Sequence, residues 1–386
     1  MGAIETDSIR LYVYPVFYFF LKSNFHMTKQ KIKVGLLCNN KMAVPALMRL
    51  LREGVLCGVA TADTDAEAMH MVRASCGDVP YTVISRKGHK GQLRDWVWAV
   101  QPDVVMVITF PYRIPGDVLA MPRLGFLNIH FGLLPEMRGA DPIFESIRQR
   151  LPVAGATVHV MDEGLDTGPI VLREEFPLSP DFTYGMLSGQ MAMLGEKMCG
   201  EVMGMLQSSE SSVETSPRPF PMKDRDGLPK ERVLFPDGRT YEHLPVETSP
   251  QPSPKERVLF PAAVQDENKA KYWPKVGEGE ITIRWDKMNA DEIVALVRAC
   301  NPIGKGAPTS INGWKIGVVD ICHVNLDGDA SAIAPGTIIA IDHQNGLIVC
   351  CLGGRAVKLE VVYTSEGYFP GYKIAFFGVG QWGVFS

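Results

Sequence analysis

Two polar side chains, Asn128 and His130, lie two residues apart at the end of an apolar segment, LNIHFGLLP (127–135). In a β-strand, residues i and i+2 point to the same face, so the amide and the imidazole would share one face. An Asn amide is a neutral hydrogen-bond donor suited to a developing oxyanion, and a His ring exchanges protons near neutral pH. The pair therefore predicts chemistry on a carbonyl group.

A carboxylate that could complete this pair is Asp166, in the loop sequence DEGLDTGP (162–169), where Gly164 and Gly168 permit a tight turn. A carboxylate beside His130 would orient the ring and raise its pKa by stabilising the charged form. These residue types suit acyl transfer to an amine through a tetrahedral intermediate. The two segments contain no GxSxG pattern and no cysteine, so direct attack by the amine is favoured over a covalent acyl-enzyme.

The elements that would position these residues alternate between strand and helix from residue 31 onward, which is typical of a Rossmann-like α/β domain with a mostly parallel sheet. Two further extended runs flank the Asp166 loop, and a long methionine-rich helix follows them, with its methionines at core spacing. The predicted strands are KIKVGLL (31–37), VLCGVATA (55–62), YTVI (81–84), PDVVMVITF (102–110), GFLNIH (125–130), VAGATVHVM (153–161) and PIVLREEFPL (169–178).

The chain is predicted to contain two domains joined by a linker. Residues 31–207 form the catalytic domain, after an N-terminal extension at 1–30 to which no function is assigned. Residues 208–271 are rich in Ser, Pro and charge, and they repeat the motifs ETSP and KERVLFP, which favours a linker. Residues 272–386 combine a strand-like ITIRWD, a helix NADEIVALVRACN and evenly spaced short strands, which predict a small OB-like β-barrel.

Composition argues against several other classes of protein. A net charge of −4 and a pI near 6.1 disfavour a surface devoted to nucleic acid. The eight cysteines are scattered and form no CxxC pair, so we expect neither a metal site nor a disulfide framework. This use of cysteine predicts that the protein is located in the reducing cytoplasm. The apolar run LYVYPVFYFFL (11–21) is too short to span a bilayer, and no membrane association is predicted.

Three longer segments resemble the formyltransferases that use 10-formyltetrahydrofolate, in particular the two-domain branch that is similar to methionyl-tRNA formyltransferase. The segments are NIHFGLLPEMRGADPI (128–143), GATVHVMDEGLDTGPIV (155–171) and WDKMNADEIVALVRACNP (285–302). The resemblance covers about residues 31–207 and 272–365. It implies Asn128, His130 and Asp166 as the catalytic residues. It further implies that Asn128 and a protonated His130 hold the formyl oxygen, with Asp166 ordering water for proton transfer.

The resemblance also implies where the pterin of the formyl donor would bind. The two loops are FPYRIP (110–115) and MDEGLD (161–166), and they would contact the ring largely through backbone groups. The implied donor-binding residues are Tyr112, Arg113, Ile114, Met161, Asp162 and Glu163. A solvated Arg113 is an equal alternative, and a structural role is favoured for His159. For Arg138 and Gly139, contact with the substrate and simple exposure in a loop both remain open.

Two departures from the tRNA enzymes bear on the acceptor. The first loop reads LLCNNKMAVP (36–45) instead of a Gly-Thr-Pro turn, and ATADTDAEAMH (60–70) lacks a basic insertion that would contact phosphates. The predicted acceptor is therefore a small or carrier-bound amine, for example an amino-sugar nucleotide. Methionyl-tRNA is the alternative acceptor, and a formyltetrahydrofolate hydrolase is the second alternative, although hydrolysis would not need the C-terminal barrel. The oligomeric state stays open.

Overall fold

A seven-stranded sheet forms the centre of the first domain in this computed structural model, which describes residues 31–210, 232–234, 240–242 and 262–386 apart from 304 and 327–329. The strands of this domain are β1 (Val34–Cys38), β2 (Leu56–Ala62), β3 (Tyr81–Ile84), β4 (Val104–Ile108), β5 (Phe126–His130), β6 (Arg138–Gly139), β7 (Val153–Val160) and β8 (Ile170–Pro177). The sheet order is β3-β2-β1-β4-β5-β7-β8. Strands β1 to β5 pair in parallel, and β7 and β8 are antiparallel, which confirms the predicted mostly parallel sheet.

Helices pack against this sheet and bury their apolar faces. They are α1 (Val44–Glu53), α2 (Ala66–Ser75), α3 (His89–Val100), α4 (Gly116–Leu119), α5 (Pro142–Arg148) and α6 (Tyr184–Glu210). Every residue of β1 and β4 is buried, as expected for parallel strands covered on both faces. On α6, Met191, Met198 and Met203 are buried in the core, as their helical spacing predicts, whereas Met193 lies on the exposed face.

The segment that links the two domains is described only in part. β9 (Arg232–Leu234) and β10 (Thr240–Glu242) form an antiparallel pair, and β11 (Tyr272–Trp273) pairs in parallel with β6. Most of the predicted duplication in 208–271, and the predicted extension at 1–30, lie outside the described residues. Residues 263–273, which we call the strap, lie along the first domain, and Ala263 forms a bridge with Ile170 at the start of β8.

The C-terminal domain is built on a six-stranded antiparallel sheet. Its elements are α7 (Glu278–Ile281), α8 (Ala290–Ala299), β12 (Ala307–Ile311), β13 (Trp314–Val324), β14 (Ile338–Asp342), β15 (Gly346–Cys350), β16 (Ala356–Thr364) and β17 (Gly367–Pro370). The order is β12-β13-β16-β15-β14, with β17 paired to β16. The final residues hydrogen-bond both edge strands, Ser386 with Ser310 of β12 and Gly383 with Ile338 of β14. This contact joins the two edges, as in the predicted barrel.

One local prediction in the C-terminal domain is wrong. ITIRWD (281–286) is not a strand, because α7 ends at Ile281 and the residues after it form turns around a buried Trp285. The indole of Trp285 donates a hydrogen bond of 2.9 Å to the Thr309 hydroxyl, so it anchors the segment instead of alternating in a sheet.

Gly139 of β6 occupies a position that no other residue fits, and this yields a stability prediction. Its φ is +131°, and a Cβ placed there would lie 1.9 Å from the carbonyl oxygen of Trp273 in the strap. We expect Gly139→Ala to lower the free energy of unfolding by about 3 kcal/mol, from backbone strain and loss of this approach. Urea unfolding measures the change.

A matched control is Gly204→Ala on α6, where a Cβ would meet nothing within 4 Å. Alanine is the better helix former, so this change is expected to raise the free energy of unfolding by about 0.5–1 kcal/mol. Equal stability of Gly139→Ala and the wild type would contradict the close approach of the strap.

Candidate active site

Strand register brings three polar side chains to one face of the sheet. Asn128 and His130 alternate with buried Ile129 along β5, so both point to the same side. β7 runs antiparallel beside β5 and places His159 directly opposite Asn128. Directly opposed residues share a face, and the Asn128 Nδ2 lies 3.1 Å from the His159 Nε2. A structural role was favoured for His159 from the sequence, and in the structure His159 contacts the side chain of Asn128.

Hydrogen bonds set the proton positions on both rings. His159 Nδ1 lies 3.1 Å from the carbonyl oxygen of Val160, which can only accept, so Nδ1 carries the proton and Nε2 accepts from Asn128. His130 Nε2 lies 2.7 Å from the carbonyl oxygen of Met137 and is protonated for the same reason. Nδ1 of His130 is therefore the nitrogen with a lone pair in the neutral ring.

Asp166 lies between the two histidines. Its Oδ1 is 3.7 Å from His130 Nδ1 and 3.7 Å from His159 Nε2, and its Oδ2 accepts a 3.0 Å hydrogen bond from the backbone N–H of Gly139. The side chain is buried, and the residue has φ of 55°, in the left-handed region. The loop from β7 to β8 thus brings Asp166 back over β5, and the three residues predicted from the sequence converge.

The charges of this cluster differ in part from the sequence expectation. Burial alone would raise the pKa of Asp166, but the attraction of His130, the contact with His159 and the Gly139 N–H outweigh it and lower the pKa to about 2. Burial lowers the pKa of His130 below 6.5, and the attraction of Asp166 and the bond to Met137 offset only part of this effect. Asp166 does raise the pKa of His130, as expected, but the loss of solvation lowers that pKa by more. At neutral pH the cluster therefore holds an ionised Asp166 and a neutral His130.

The two loops implied for pterin binding contact each other. The first follows the carboxyl end of β4, the edge where open α/β sheets bind ligands, and the second follows the antiparallel strand β7. Arg113 donates a 2.6 Å hydrogen bond to the carbonyl oxygen of Glu163, so it is tied to the second loop and is not simply solvated. The hydroxyl of Tyr112 hydrogen-bonds the carboxylate of Asp63, which follows β2. The Glu163 side chain lies against Gly116, where a Cβ would be 2.0 Å from its Oε1.

The remaining side chains of these loops serve the protein itself. Ile114 is buried in the core, and Met161 packs against the same cluster. The Asp162 carboxylate accepts hydrogen bonds from the Gly164 N–H and the Thr167 hydroxyl, at 3.0 and 2.6 Å. The backbone groups of 112–114 form no hydrogen bond to another residue in the described part of the chain. These main-chain donors and acceptors are therefore open to a ligand.

Arg138 is neither a solvated loop residue nor open to a substrate. Its guanidinium is buried and donates to Glu267 at 2.7 and 2.9 Å and to the Gln265 Oε1 at 2.9 and 3.1 Å. Both partners belong to the strap. Sequence reasoning missed Gln265, because this residue lies within the predicted linker, 99 residues from Asp166 along the chain, and belongs to no motif. Only the close spacing in three dimensions reveals it.

Two other features of the described residues bear on the class of protein. No group of three His, Cys, Asp or Glu side chains is arranged to hold a metal ion in the ranges that the structure describes. Over the same ranges, no helix is both long and apolar enough to cross a membrane. All eight cysteines are free thiols.

Comparison with known proteins identifies the family. A formyl transferase family model matches residues 33–203, and the model for the formyl transferase C-terminal domain matches residues 275–367. A methionyl-tRNA formyltransferase of Ectopseudomonas mendocina is 30% identical over 71% of this chain and 73% of its own length. The chain belongs to the formyltransferase family. This formyltransferase is thus an enzyme of the two-domain kind that its motifs resemble.

This formyltransferase is also similar to a second methionyl-tRNA formyltransferase in sequence and to a solved N-formyltransferase in fold. A methionyl-tRNA formyltransferase of Aromatoleum aromaticum is 28% identical over 86% of this chain and 90% of its own length. The fold is similar to that of an N-formyltransferase from Helicobacter canadensis, solved with folinic acid and dTDP-3-aminofucose. That similarity has a TM-score of 0.51 at 14% identity and covers 84% of this chain and 98% of that chain.

Proposed function

We propose that this formyltransferase moves the formyl group of 10-formyltetrahydrofolate to the amine of a small or carrier-bound substrate, by direct attack. The observation that carries the proposal is the convergence of Asn128, His130 and Asp166, with the two loops that the resemblance implies for pterin binding in contact with each other. In the described part of the chain, neither Asn128 nor His130 hydrogen-bonds a Ser, Thr or Cys side chain that could be activated as a nucleophile. The amine itself is therefore the nucleophile.

The chain's residues have distinct roles in this transfer. The donor supplies a formyl group on a nitrogen that can leave as an amine. As the acceptor nitrogen bonds to the formyl carbon, negative charge develops on the formyl oxygen, and Asn128 uses its second Nδ2 hydrogen there because the first is bound to His159. Nδ1 of neutral His130 takes the proton of the attacking nitrogen. Asp166 stabilises the resulting imidazolium across 3.7 Å, and His130 then returns the proton to the departing nitrogen.

The acidic rim of the site supports an amine acceptor that is not a nucleic acid. Asp63, Asp65 and Glu67 are exposed on the segment that follows β2, and Asp63 is bonded to Tyr112 of the first pterin loop. Contacts to tRNA phosphates come largely from Lys and Arg, so this segment, which carries three carboxylates and no basic insertion, is a poor contact for a tRNA backbone. An amino-sugar nucleotide remains our example of the acceptor class, and the Helicobacter canadensis N-formyltransferase was solved with such an amine, dTDP-3-aminofucose.

Methionyl-tRNA is the second candidate acceptor, because the curated relatives are methionyl-tRNA formyltransferases and share both domains with this chain. An appended C-terminal domain is consistent with a large or carrier-bound acceptor. The second alternative, hydrolysis of the donor by water, would need no such domain. A cytoplasmic location remains a prediction, supported by the eight unpaired thiols.

A screen of acceptors tests these proposals directly. The purified full chain is incubated with 10-formyltetrahydrofolate and a panel of amines that includes dTDP-3-amino sugars, and released tetrahydrofolate is followed with the formylated product. Charged initiator tRNA is assayed in parallel at several salt concentrations. Product from a small amine alone supports the first candidate, and salt-sensitive binding with product from tRNA supports the second. Formate release at full rate without any amine would favour the hydrolase, and silence toward all acceptors would contradict formyl transfer.

The pH dependence of kcat/KM provides a further prediction. The neutral form of His130 accepts the proton, so activity falls on the acid side as this ring protonates. Because burial lowers the pKa of His130, we expect the acid limb to have its midpoint below pH 6.5. Asp166 raises that pKa, so Asp166→Asn should move the midpoint to still lower pH while lowering the rate. An acid limb that moves upward in Asp166→Asn would contradict this assignment.

A further inference from the structure

The catalytic loop is held from outside both family-matched regions. The formyl transferase models cover residues 33–203 and 275–367, and the strap at 263–273 belongs to neither. Yet the strap forms a bridge with the start of β8, pairs with β6 through β11, and contributes Gln265 to the loop that carries Asp166. Its return to the first domain after the linker therefore affects the geometry of the site.

Gln265 has every polar atom of its side chain engaged. Its Nε2 donates to the carbonyl oxygens of Asp166 and Gly168, at 2.7 and 2.8 Å, and its Oε1 accepts two hydrogen bonds from Arg138. The side chain is buried, so these bonds do not compete with solvent. A buried amide bonded on both sides specifies one arrangement of the segments that it joins.

The loop needs such support because of its backbone. Asp166 adopts φ of 55°, a left-handed conformation that a residue with a side chain keeps only where the surrounding structure holds it. The Gln265 amide binds the carbonyl of this same residue, and the Gly139 N–H binds its carboxylate. Gly139 is in turn paired with Trp273 of the strap. Both contacts that fix Asp166 thus depend on the strap.

We infer that Gln265 is a positioning residue for formyl transfer, which holds the Asp166 loop so that the carboxylate faces His130. This inference rests on the proposed function, because the loop matters for catalysis only if Asp166 serves His130. Arg138 binds the other side of the Gln265 amide, and Glu267 lies outside this arrangement, on the exposed surface beside Arg138. Through Gln265 the strap therefore supports the site and is not only a connection between domains.

Two substitutions separate the donor role of the Gln265 amide from its contact with Arg138. Gln265→Met removes all four hydrogen bonds of the amide while keeping a side chain of similar length. Gln265→Glu keeps an acceptor for Arg138 but replaces the donor that binds the two carbonyls. We expect both changes to lower kcat by about 10- to 100-fold, with the KM of the formyl donor changed less than about 3-fold. The matched control is Glu267→Gln, an exposed neighbour that also contacts Arg138, and it should keep wild-type kcat.

Two further readouts distinguish positioning from general stability. Hydrogen exchange of the amides in 162–168 should be about 10-fold faster in Gln265→Met and unchanged in Glu267→Gln, since the loop loses its anchor only in the former. The acid limb of kcat/KM should move to lower pH in Gln265→Met, because a displaced Asp166 no longer favours the charged His130. If Gln265→Met does not fold, Gln265→Asn, which retains the amide one methylene shorter, should show the same changes to a smaller extent.

The outcomes decide between the inference and the proposed function. Wild-type exchange in 162–168 for both Gln265 variants, or faster exchange with unchanged kcat, would overturn the inference. Wild-type kcat in Gln265→Glu alone would also overturn it, since Arg138 would then be the relevant partner. A wild type that transfers formyl to no acceptor, with exchange faster in Gln265→Met, would support the placement of the loop by Gln265 while overturning the proposed function.

Discussion

Replacing His130 by alanine is expected to lower kcat of formyl transfer by about 100-fold or more, which corresponds to about 2.7 kcal/mol of transition-state stabilisation. The change removes the Nδ1 lone pair that takes the proton of the attacking amine, and no other ring replaces it, because the Nε2 of His159 is engaged by Asn128. Steady-state kinetics with the acceptor found in the amine screen measure the effect.

The control for His130→Ala is His70→Ala, which removes an exposed imidazole from α2 and should leave kcat unchanged. His130→Ala also leaves the Met137 carbonyl without its partner, at a cost of about 1–3 kcal/mol of stability, so the unfolding midpoint must be measured beside the rate. Unchanged turnover in a folded His130→Ala protein would end the proposed mechanism.

Asn128→Ala is expected to lower kcat by about 100-fold or more, because the amide supplies a hydrogen bond to the formyl oxygen that strengthens as charge develops. Asn128→Asp keeps the size of the side chain but places a carboxylate beside Asp166 and the developing oxyanion, so we expect a loss at least as large. The two variants are compared by kcat and by the KM of the formyl donor.

The role of Asn128 is tested by whether each substitution changes kcat or KM, in addition to how large the loss of activity is. A donor to the transition state lowers kcat with little change in KM, whereas a residue that only binds the ground state raises KM. If Asn128→Asp retained wild-type kcat, the oxyanion role would be contradicted. A change confined to KM in Asn128→Ala would instead assign the amide to donor binding.

The parts of the fold that follow from local pattern were predicted correctly. Buried strands such as β1 and β4 are short apolar runs in the sequence because both of their faces are covered. The helix predicted in NADEIVALVRACN is α8, and the structure shows that Asn289 caps it. The strand prediction for ITIRWD was wrong because its last apolar residue, Trp285, is buried in a turn and held there by a hydrogen bond to Thr309. A short alternation of apolar and polar residues can therefore come from a single buried side chain in a turn as well as from a strand.

The sequence by itself determined which chemistry the site offers, because the spacing of Asn128 and His130 on one strand and the turn-forming glycines around Asp166 are local properties of the chain. Only the tertiary structure decided how that chemistry is tuned. Desolvation lowers the pKa of His130 against the pull of Asp166, and this balance depends on atoms far away in the sequence. The same holds for Gln265, since hydrogen bonds between segments separated by a linker leave no periodic trace in the amino-acid order.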